Sequence, residues 1–555
     1  MADIKNCKQC SKQFALDDDD LSFYKKMTVK IAEKEFIIPS PTLCPTCRSQ
    51  RRLAFRNDRS LYKSKSDLSG ADLITMYNPD YGYKVYEYKE WWSDLWNPLD
   101  SGIDFDPNKS FFAQYKDLQL KVPRFNLFNA DTENCDYVNY APHCKNCYLL
   151  FGSWFNENCH YGQTLSESKD SLDCAFLVKS ELCYECIDTN DSYNAMYCQN
   201  CDTTRESVLC YDCRDVKNCL YCYNLRNKEY YIGNLPASKE EYEAEREKLK
   251  SFSYLGQKRK EFAHKVKDSA KHRCYTGTNN DNVSGNFIFN CKNTKRCFST
   301  YNDENIAFCA RMLDAKDAYD FDGGGKSELV LENMSNDFSY FSIGCTTCEH
   351  MKNSHYCDLC FNCTDCFGCV GLRQKQYCIL NKQYTKEEYE KKLVGVIDKM
   401  AVDKEWGEFP PVKNSQFAFN KTMAYEYFPI TREEAENRGW KWEEKLEESR
   451  PSEKVDIPDN IKDADIQILN KVLTCEKSGR AYKIIPHELD FLKKIGIPIP
   501  RMHPDERHLL RMSCRAPRQL FDRNCSKCKK ELHTSYNEDL AKTVYCEKCY
   551  EEEIL

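Results

Sequence analysis

No stretch of this 555-residue chain is apolar enough to cross a membrane, since 30% of its residues are charged and the mean hydropathy is −0.73. The amino terminus, Met1-Ala-Asp-Ile-Lys-Asn-Cys7, lacks the apolar segment of a secretory signal. Without an export signal, the 35 cysteines argue for thiols and metal ligands in a cytoplasmic protein, not for a disulfide framework. A large excess of one charge is missing too. The net charge is −7, so any nucleic-acid contact must rest on local patches.

Two enzyme motifs are incomplete. Gly323-Gly-Gly-Lys-Ser327 has Asp320 where a P-loop needs glycine, and it reads as a turn. The run Cys360-x-x-Cys363-x-x-Cys366 lacks the proline that follows a ferredoxin-type run, and an internal repeat carries Val216 in place of Cys363. An iron–sulfur cluster is therefore not expected. His143-Cys144 and Cys159-His160 are neighbours in sequence, which says little about a nucleophile–base pair in space.

What is present begins with two complete thiolate sets. Cys7-x-x-Cys10 with Cys44-x-x-Cys47, and Cys525-x-x-Cys528 with Cys546-x-x-Cys549, each supply the four soft ligands of a closed tetrahedral zinc site. Two structural zinc ions are expected. Around the first set stand Phe14, the acidic run Asp17–Asp20, Leu21-Ser-Phe-Tyr-Lys-Lys26 and Cys47-Arg48. This resembles the probable zinc-ribbon family over about the first 50 residues, which implies a four-cysteine ribbon there.

The two ends are related. At one offset of 459, Cys44, Pro45, Arg48, Arg52, Arg56 and Arg59 align with His503, Pro504, Arg507, Arg511, Arg515 and Arg518. The same offset aligns Ser66, Ser69, Glu87 and Glu90 with the four C-terminal cysteines. Each end thus carries a pair of ribbons of which one has kept its thiolates. The C-terminal ligand-poor ribbon offers Cys475, Ser478, His503 and Glu506; Cys475, His503 and Glu506 could make a third, weak or catalytic-type metal site with an open position. The arginines have two readings. Spaced by four on a helix, they form a stripe suited to phosphate oxygens, which points to RNA or ribosome contact. Alternatively they are solvated, or paired internally with acidic residues of the ribbons.

The middle is an internal repeat. At an offset of 147, three Cys-x-x-Cys pairs from Cys198 to Cys222 match three from Cys345 to Cys369, and Lys239-Glu-Glu-Tyr242 matches Lys386-Glu-Glu-Tyr389. A shorter step of 11 links Val208, Cys219 and Tyr230, and again His355, Cys366 and Tyr377. Tyr, Cys, Asn and Gly are weak helix formers, so short β-rungs are predicted. Their cysteines are either a ladder of small buried thiols or further metal ligands. Because residues i and i+3 of a strand face opposite ways, chelation would need a turn.

The expected fold is mostly β and multi-domain, with duplicated zinc-ribbon pairs at both ends flanking two cysteine-rich β-solenoid-like repeats with short connecting helices. The boundaries are a four-cysteine ribbon with basic helix over 1–62, a ribbon without thiolates over 63–97 and a connector over 98–126. Solenoid-like repeats follow over 127–235 and 274–384, separated by a charged helical connector over 236–273. A helix over 385–408 and a linker over 409–474 lead to the ligand-poor ribbon with basic helix over 475–522 and a four-cysteine ribbon over 523–555. The whole arrangement, including Cys475-Glu-Lys-Ser-Gly-Arg480 and Met502-His-Pro-Asp-Glu-Arg-His508, is similar to an uncharacterised cysteine-rich multi-ribbon family of candidate phyla radiation bacteria. That resemblance implies no activity. The functional expectation is a non-enzymatic, zinc-stabilised binding or scaffold protein. The alternatives are a thiol-rich zinc or copper buffer and a metalloenzyme at Cys475/His503/Glu506.

Overall fold

The computed structural model describes residues 3–444 and 455–555. Part of the predicted linker, 445–454, lies outside the described residues. The chain divides into two compact units: Met1–Leu127 with Tyr275–Glu443 and Arg518–Leu520, and Phe128–Cys274 with Glu444–Pro517 and Phe521–Leu555. Each unit combines one terminal segment, carrying one four-cysteine cluster, with one parallel β stack. The N-terminal segment belongs with the second cysteine-rich repeat, and the C-terminal segment, apart from Arg518–Leu520, with the first.

The stack of the second unit shows how the sequence makes this shape. From Asp131 to Gly233 every third residue has φ between 44° and 58°. Each such residue turns the chain, so the side chain at every third position points to one interior. Cys174, Leu177, Ser180, Cys183, Cys186 and Thr189 are one such run, and all are buried. Strands pair in parallel with the segment twelve residues on, as in Ala175 with Ile187 and Val208 with Leu220. Four three-residue steps therefore complete one level.

Two expectations are corrected here. The repeat step is 12, not 11; the 11-residue spacing links a residue's N–H to the carbonyl it meets on the next level, as in Tyr184 N–H to Ala195 O at 3.0 Å. Residues i and i+3 also face the same way, because a left-handed residue stands between them. Cys-x-x-Cys thus feeds two thiols into one narrow core. Cysteines fill most of that core beside Leu150, Leu165, Leu177 and Val216, and the thiols satisfy themselves on the backbone. Cys183 Sγ donates to Glu181 O at 3.5 Å, and Cys360 Sγ donates to Asp358 O and Cys369 O at 3.5 Å. All 35 cysteines are free thiols.

Non-glycine residues resist the left-handed region, and Asn and Asp resist it least. They occupy one corner of the stack and bond to one another up the levels. Asn134 donates to Asn146 at 2.8 Å, Asn146 to Asn158 at 3.1 Å, and Asn158 to Asp170 at 2.7 Å.

The stack of the first unit runs from Gly277 to Gln383 on the same plan. Its first levels keep an 11-residue step, Asp281 with Lys292, and change to 12 across Gly285. Gly285 has φ of 140°, and a Cβ there would lie 1.8 Å from Cys297 O, so glycine is required at this change of register. The Gly323–Gly325 run, expected to be a turn, ends the strand Lys316–Gly325, and Gly323, with φ of 69°, is one of the left-handed residues that turn the chain there.

Each stack ends in an antiparallel return, Tyr231 with Pro236 and Cys378 with Gln383. A helix follows each return, opened by a capping box: Ser238 with Glu241, and Thr385 with Glu388. The ribbons match element by element at the 459 offset. Hairpins Tyr62–Lys65/Asp72–Thr75 and Phe521–Asn524/Glu531–Thr534 are followed by strands Val85–Tyr86 and Thr543–Tyr545 and helices Tyr88–Trp92 and Glu547–Ile554. Among the described residues, no helix is long and apolar enough to cross a membrane.

Candidate metal centres and buried arginine clamps

Within each ribbon that kept its cysteines, a hairpin turn and the start of a helix bring four sulfurs together. Cys7 and Cys10 follow the strand Asp3–Asn6, while Cys44 is the N-cap of the helix Pro45–Leu53 and Cys47 lies in its first turn. Cys525 and Cys528 follow the strand Phe521–Asn524, and Cys546 caps the helix Glu547–Ile554. In each set the four Sγ atoms lie within 4.8 Å of one another. Cys10 and Cys44 are 3.8 Å apart and Cys528 and Cys546 3.7 Å. Thiolates about 2.3 Å from a tetrahedral zinc would stand about 3.8 Å apart, so the spacing fits that ion. The hydrogen bond from Cys47 holds the Cys44 thiol down at about 5, while that same bond pushes Cys47 up and burial pushes Cys10 up. Burial pushes Cys525 up, but the N–H groups of Cys546, Cys528 and Lys527 outweigh it and bring it to about 6. A thiolate is the form a metal requires.

The other two ribbons hold the same geometry without a metal set. Ser66 Oγ donates to the Glu90 carboxylate, and Glu87 N–H donates to the same oxygen at 3.1 Å. Hydroxyl and carboxylate thus close the knuckle. Cys475, His503 and Glu506 do not converge. Among the described residues, the groups of three or more ligand atoms within 4.8 Å are the two four-cysteine sets. His503 Nδ1 instead accepts from Asp505 N–H at 3.1 Å as a helix N-cap, and Glu506 pairs with Lys477 at 3.0 Å. The alternative of a third metal site at these residues is corrected accordingly.

The arginines are not on the surface. Arg48, Arg52, Arg507 and Arg511 are 1%, 0%, 1% and 2% exposed. In the first unit, Arg48 Nε donates to Asp320 at 2.9 Å. Arg52 reaches three carboxylates: Asp322 at 2.9 Å, Asp320 at 3.1 Å and Glu332 at 2.9 Å. Arg51 adds Glu332 at 2.7 Å and Glu408 at 2.6 Å. In the second unit, Arg507 bonds to Asp173 and to Glu488, the latter at 3.0 Å, while Arg511 bonds to Asp173 at 2.9 Å and Glu185 at 3.0 Å.

These acceptors repeat at the 147 offset of the stacks: Asp173 with Asp320, Glu185 with Glu332, and Asp188 with Ser335. Arg515 makes a bidentate pair with Asp188 at 2.7 and 2.8 Å, and its equivalent Arg56 donates to Ser335 at 2.6 Å. Even the ring beneath the first arginine recurs, with Arg48 over Phe308 at 5.1 Å and Arg507 over Tyr161 at 5.0 Å. Arg59 is half-buried, and Arg518 lies 3.6 Å from Asp322 and over the Tyr427 ring at 3.8 Å.

The outward basic stripe is therefore corrected: the helices Pro45–Leu53 and Pro504–Ser513 turn their arginines onto the stack of their own unit. Most of the acids come from the stacks; Glu408 follows the second stack's helix, and Glu488, with Asp58, which accepts from Arg56 at 2.8 Å, comes from the terminal modules themselves. Arg56 and Arg515 lie just past the helix ends. Burial pushes the Arg52 guanidinium down, but Asp322, Asp320 and Glu332 more than offset it and keep it charged. Burial raises Glu332 and Glu185 despite their arginine partners.

The second unit also brings together two histidine rings, one buried and one half-buried, tilted at 31° to each other. His160 and His487 have ring centroids 4.0 Å apart. Burial first, then the neighbouring His487, pushes His160 down to about 3. In the unfolded chain it titrates near 6.5, so the folded state binds fewer protons between those values. The stability His160 contributes is present above about pH 6.5 and is lost as pH falls toward 3. Denaturant unfolding across that range is expected to show a shallower acid loss in His160→Phe than in the parent.

No family model matches the chain, and no curated protein matches it. A solved structure from Desulfovibrio desulfuricans, provisionally named an acetyltransferase, is similar at 8% identity over 43% of this chain and 63% of that one, with a TM-score of 0.10. At that score the likeness carries no argument about fold or function.

Proposed function

We propose that this chain is a zinc-stabilised, non-enzymatic scaffold whose two units are built alike. Each is a β-solenoid with a ribbon pair clamped onto its side. Its closed four-cysteine sets leave no open coordination position, which is the mark of structural zinc. The observation that carries this reading is the arginine clamp, in which equivalent arginines meet equivalent acids in both units. The buried stack thiols favour a packed core over a metal store, since they bond to backbone carbonyls within it. Elemental analysis of protein purified without added metal tests this directly. About two zinc ions per chain are expected; six or more would favour the thiol-rich buffer. RNA contact by backbone charge would need exposed guanidinium groups. Filter binding at graded salt is expected to show no RNA affinity that depends on Arg48, Arg52, Arg507 or Arg511.

A further inference from the structure

The two clamps differ at their far end. In the second unit Arg515 lies over the Phe176 ring at 3.4 Å and holds Asp188 in its bidentate pair. At the 147 offset the first unit has Gly323 in place of Phe176 and Ser335 in place of Asp188. The same corner has therefore lost a ring and a carboxylate. Arg56 donates there to Ser335 Oγ at 2.6 Å and to Asp58 at 2.8 Å. Two further guanidinium groups reach this place. Arg311, where the second unit has Thr164, stands one level before Gly323 on the stack. Arg518 lies over the Tyr427 ring at 3.8 Å.

Among the described residues, neither Arg311 nor Arg518 meets a carboxylate at hydrogen-bond distance. Arg311 is 3.9 Å from Asp58, which Arg56 already holds. Arg518 is 3.6 Å from Asp322, which Arg52 holds at 2.9 Å. The Arg518 side chain is 7% exposed, and its two terminal nitrogens are buried without a hydrogen bond among the described residues. Buried charged donors left without an acceptor are costly. Burial first, then Arg56, pushes the Arg311 guanidinium down to about 10, and Arg518 adds to that push. The missing side chain leaves room beside them. A Cβ at Gly323 would meet within 4 Å only Arg56 Nη1 at 3.3 Å and Ser335 Oγ at 4.0 Å.

We propose that this corner of the first unit binds a tetrahedral oxyanion, phosphate or sulfate, in the role that the Asp188 carboxylate fills in the second unit. Arg311 and Arg518 donate to its oxygens, and Arg56 and the Ser335 hydroxyl border it. Forked guanidinium groups suit such an ion. Its charge offsets the arginines that Asp58 alone does not neutralise.

Equilibrium dialysis of the full-length protein against radiolabelled inorganic phosphate, at constant ionic strength set with chloride, tests this. Saturable uptake of about one phosphate per chain is expected, with a dissociation constant of about 1 mM or below and displacement by sulfate. Phenyl phosphate that displaces it equally well supports the site with an esterified phosphate as its source; phenyl phosphate that does not supports it with the free ion. Arg311→Gln and Arg518→Gln should each weaken uptake about tenfold. Ser335→Asp, which supplies the carboxylate of the second unit, should abolish uptake without lowering the denaturant midpoint of unfolding. Absence of saturable uptake would overturn the proposal, as would uptake that survives Ser335→Asp undiminished. Should an arginine variant fail to fold, the parent and Ser335→Asp decide.

Discussion

Replacing Arg52 with alanine is expected to lower the stability of the first unit by about 3–5 kcal/mol, the cost of removing one partner from a buried ion pair. The size follows from what stays behind. Asp320, Asp322 and Glu332 all bond to Arg52 and are themselves buried. Without its guanidinium, Arg48 and Arg51 are left to neutralise three carboxylates. Desolvated like charges then either protonate or pull the helix Pro45–Leu53 away from the stack. Arg511→Ala should do the same in the second unit, where Asp173 and Glu185 lose a shared partner. Hydrogen exchange read separately over the two units checks both effects: each variant should open its own unit. By contrast, an exposed pair such as Lys65–Asp72 should tolerate truncation within about 1 kcal/mol.

Removing one thiolate is expected to have a larger local effect still. Cys10→Ser leaves three sulfurs for the N-terminal ion, and bound zinc should fall from about two to about one per chain. Structural zinc contributes roughly 10 kcal/mol or more to folding small metal domains, and the N-terminal ribbon buries few other large side chains around its sulfurs. Its hairpin Asp3–Asn6/Gln13–Leu16 should therefore become protease-sensitive. Cys528→Ser makes the same prediction for the C-terminal set. Retention of both ions in either variant would show that the four-cysteine sets are not the metal centres. The serine–glutamate knuckle around Ser66 and Glu90 marks the contrast, because hydrogen bonds alone hold the equivalent loop there.

Much of this was legible in the sequence. The two thiolate sets were visible because Cys-x-x-Cys brings its own geometry, and the ends were visibly related because one offset aligned them. The 12-residue step was not legible, because it arises from a backbone state. Left-handed residues such as Asn146, Leu149, Phe155 and Asn158 fold the chain every third position, and no side-chain pattern of strands or helices has that period. The reading of Cys-x-x-Cys as facing two ways failed for the same reason. The arginine acceptors were missed although their signal was present. Asp173 and Asp320, and Glu185 and Glu332, are acidic pairs at the stack offset of 147, as the arginines are pairs at the ribbon offset of 459. Each offset alone suggested duplication; only their conjunction says that the arginines and acids meet. Asp320, which disqualified the P-loop reading, is one of the side chains that receives Arg48 and Arg52.

The swapped order of segments gives the clamp its importance. The N-terminal segment belongs to the unit of the second stack, and the C-terminal segment, apart from Arg518–Leu520, to that of the first. Holding such distant segments together demands specific contacts more than proximity in sequence. Planar, forked guanidinium groups on left-handed stack corners supply them.

A double-mutant cycle between Arg511 and Glu185, using Arg511→Met, Glu185→Gln and the double variant, measures that contact most directly. An interaction energy of about 1–3 kcal/mol in unfolding of the second unit is expected, with the double variant more stable than the sum of the single losses. Additivity within about 0.5 kcal/mol would contradict the clamp.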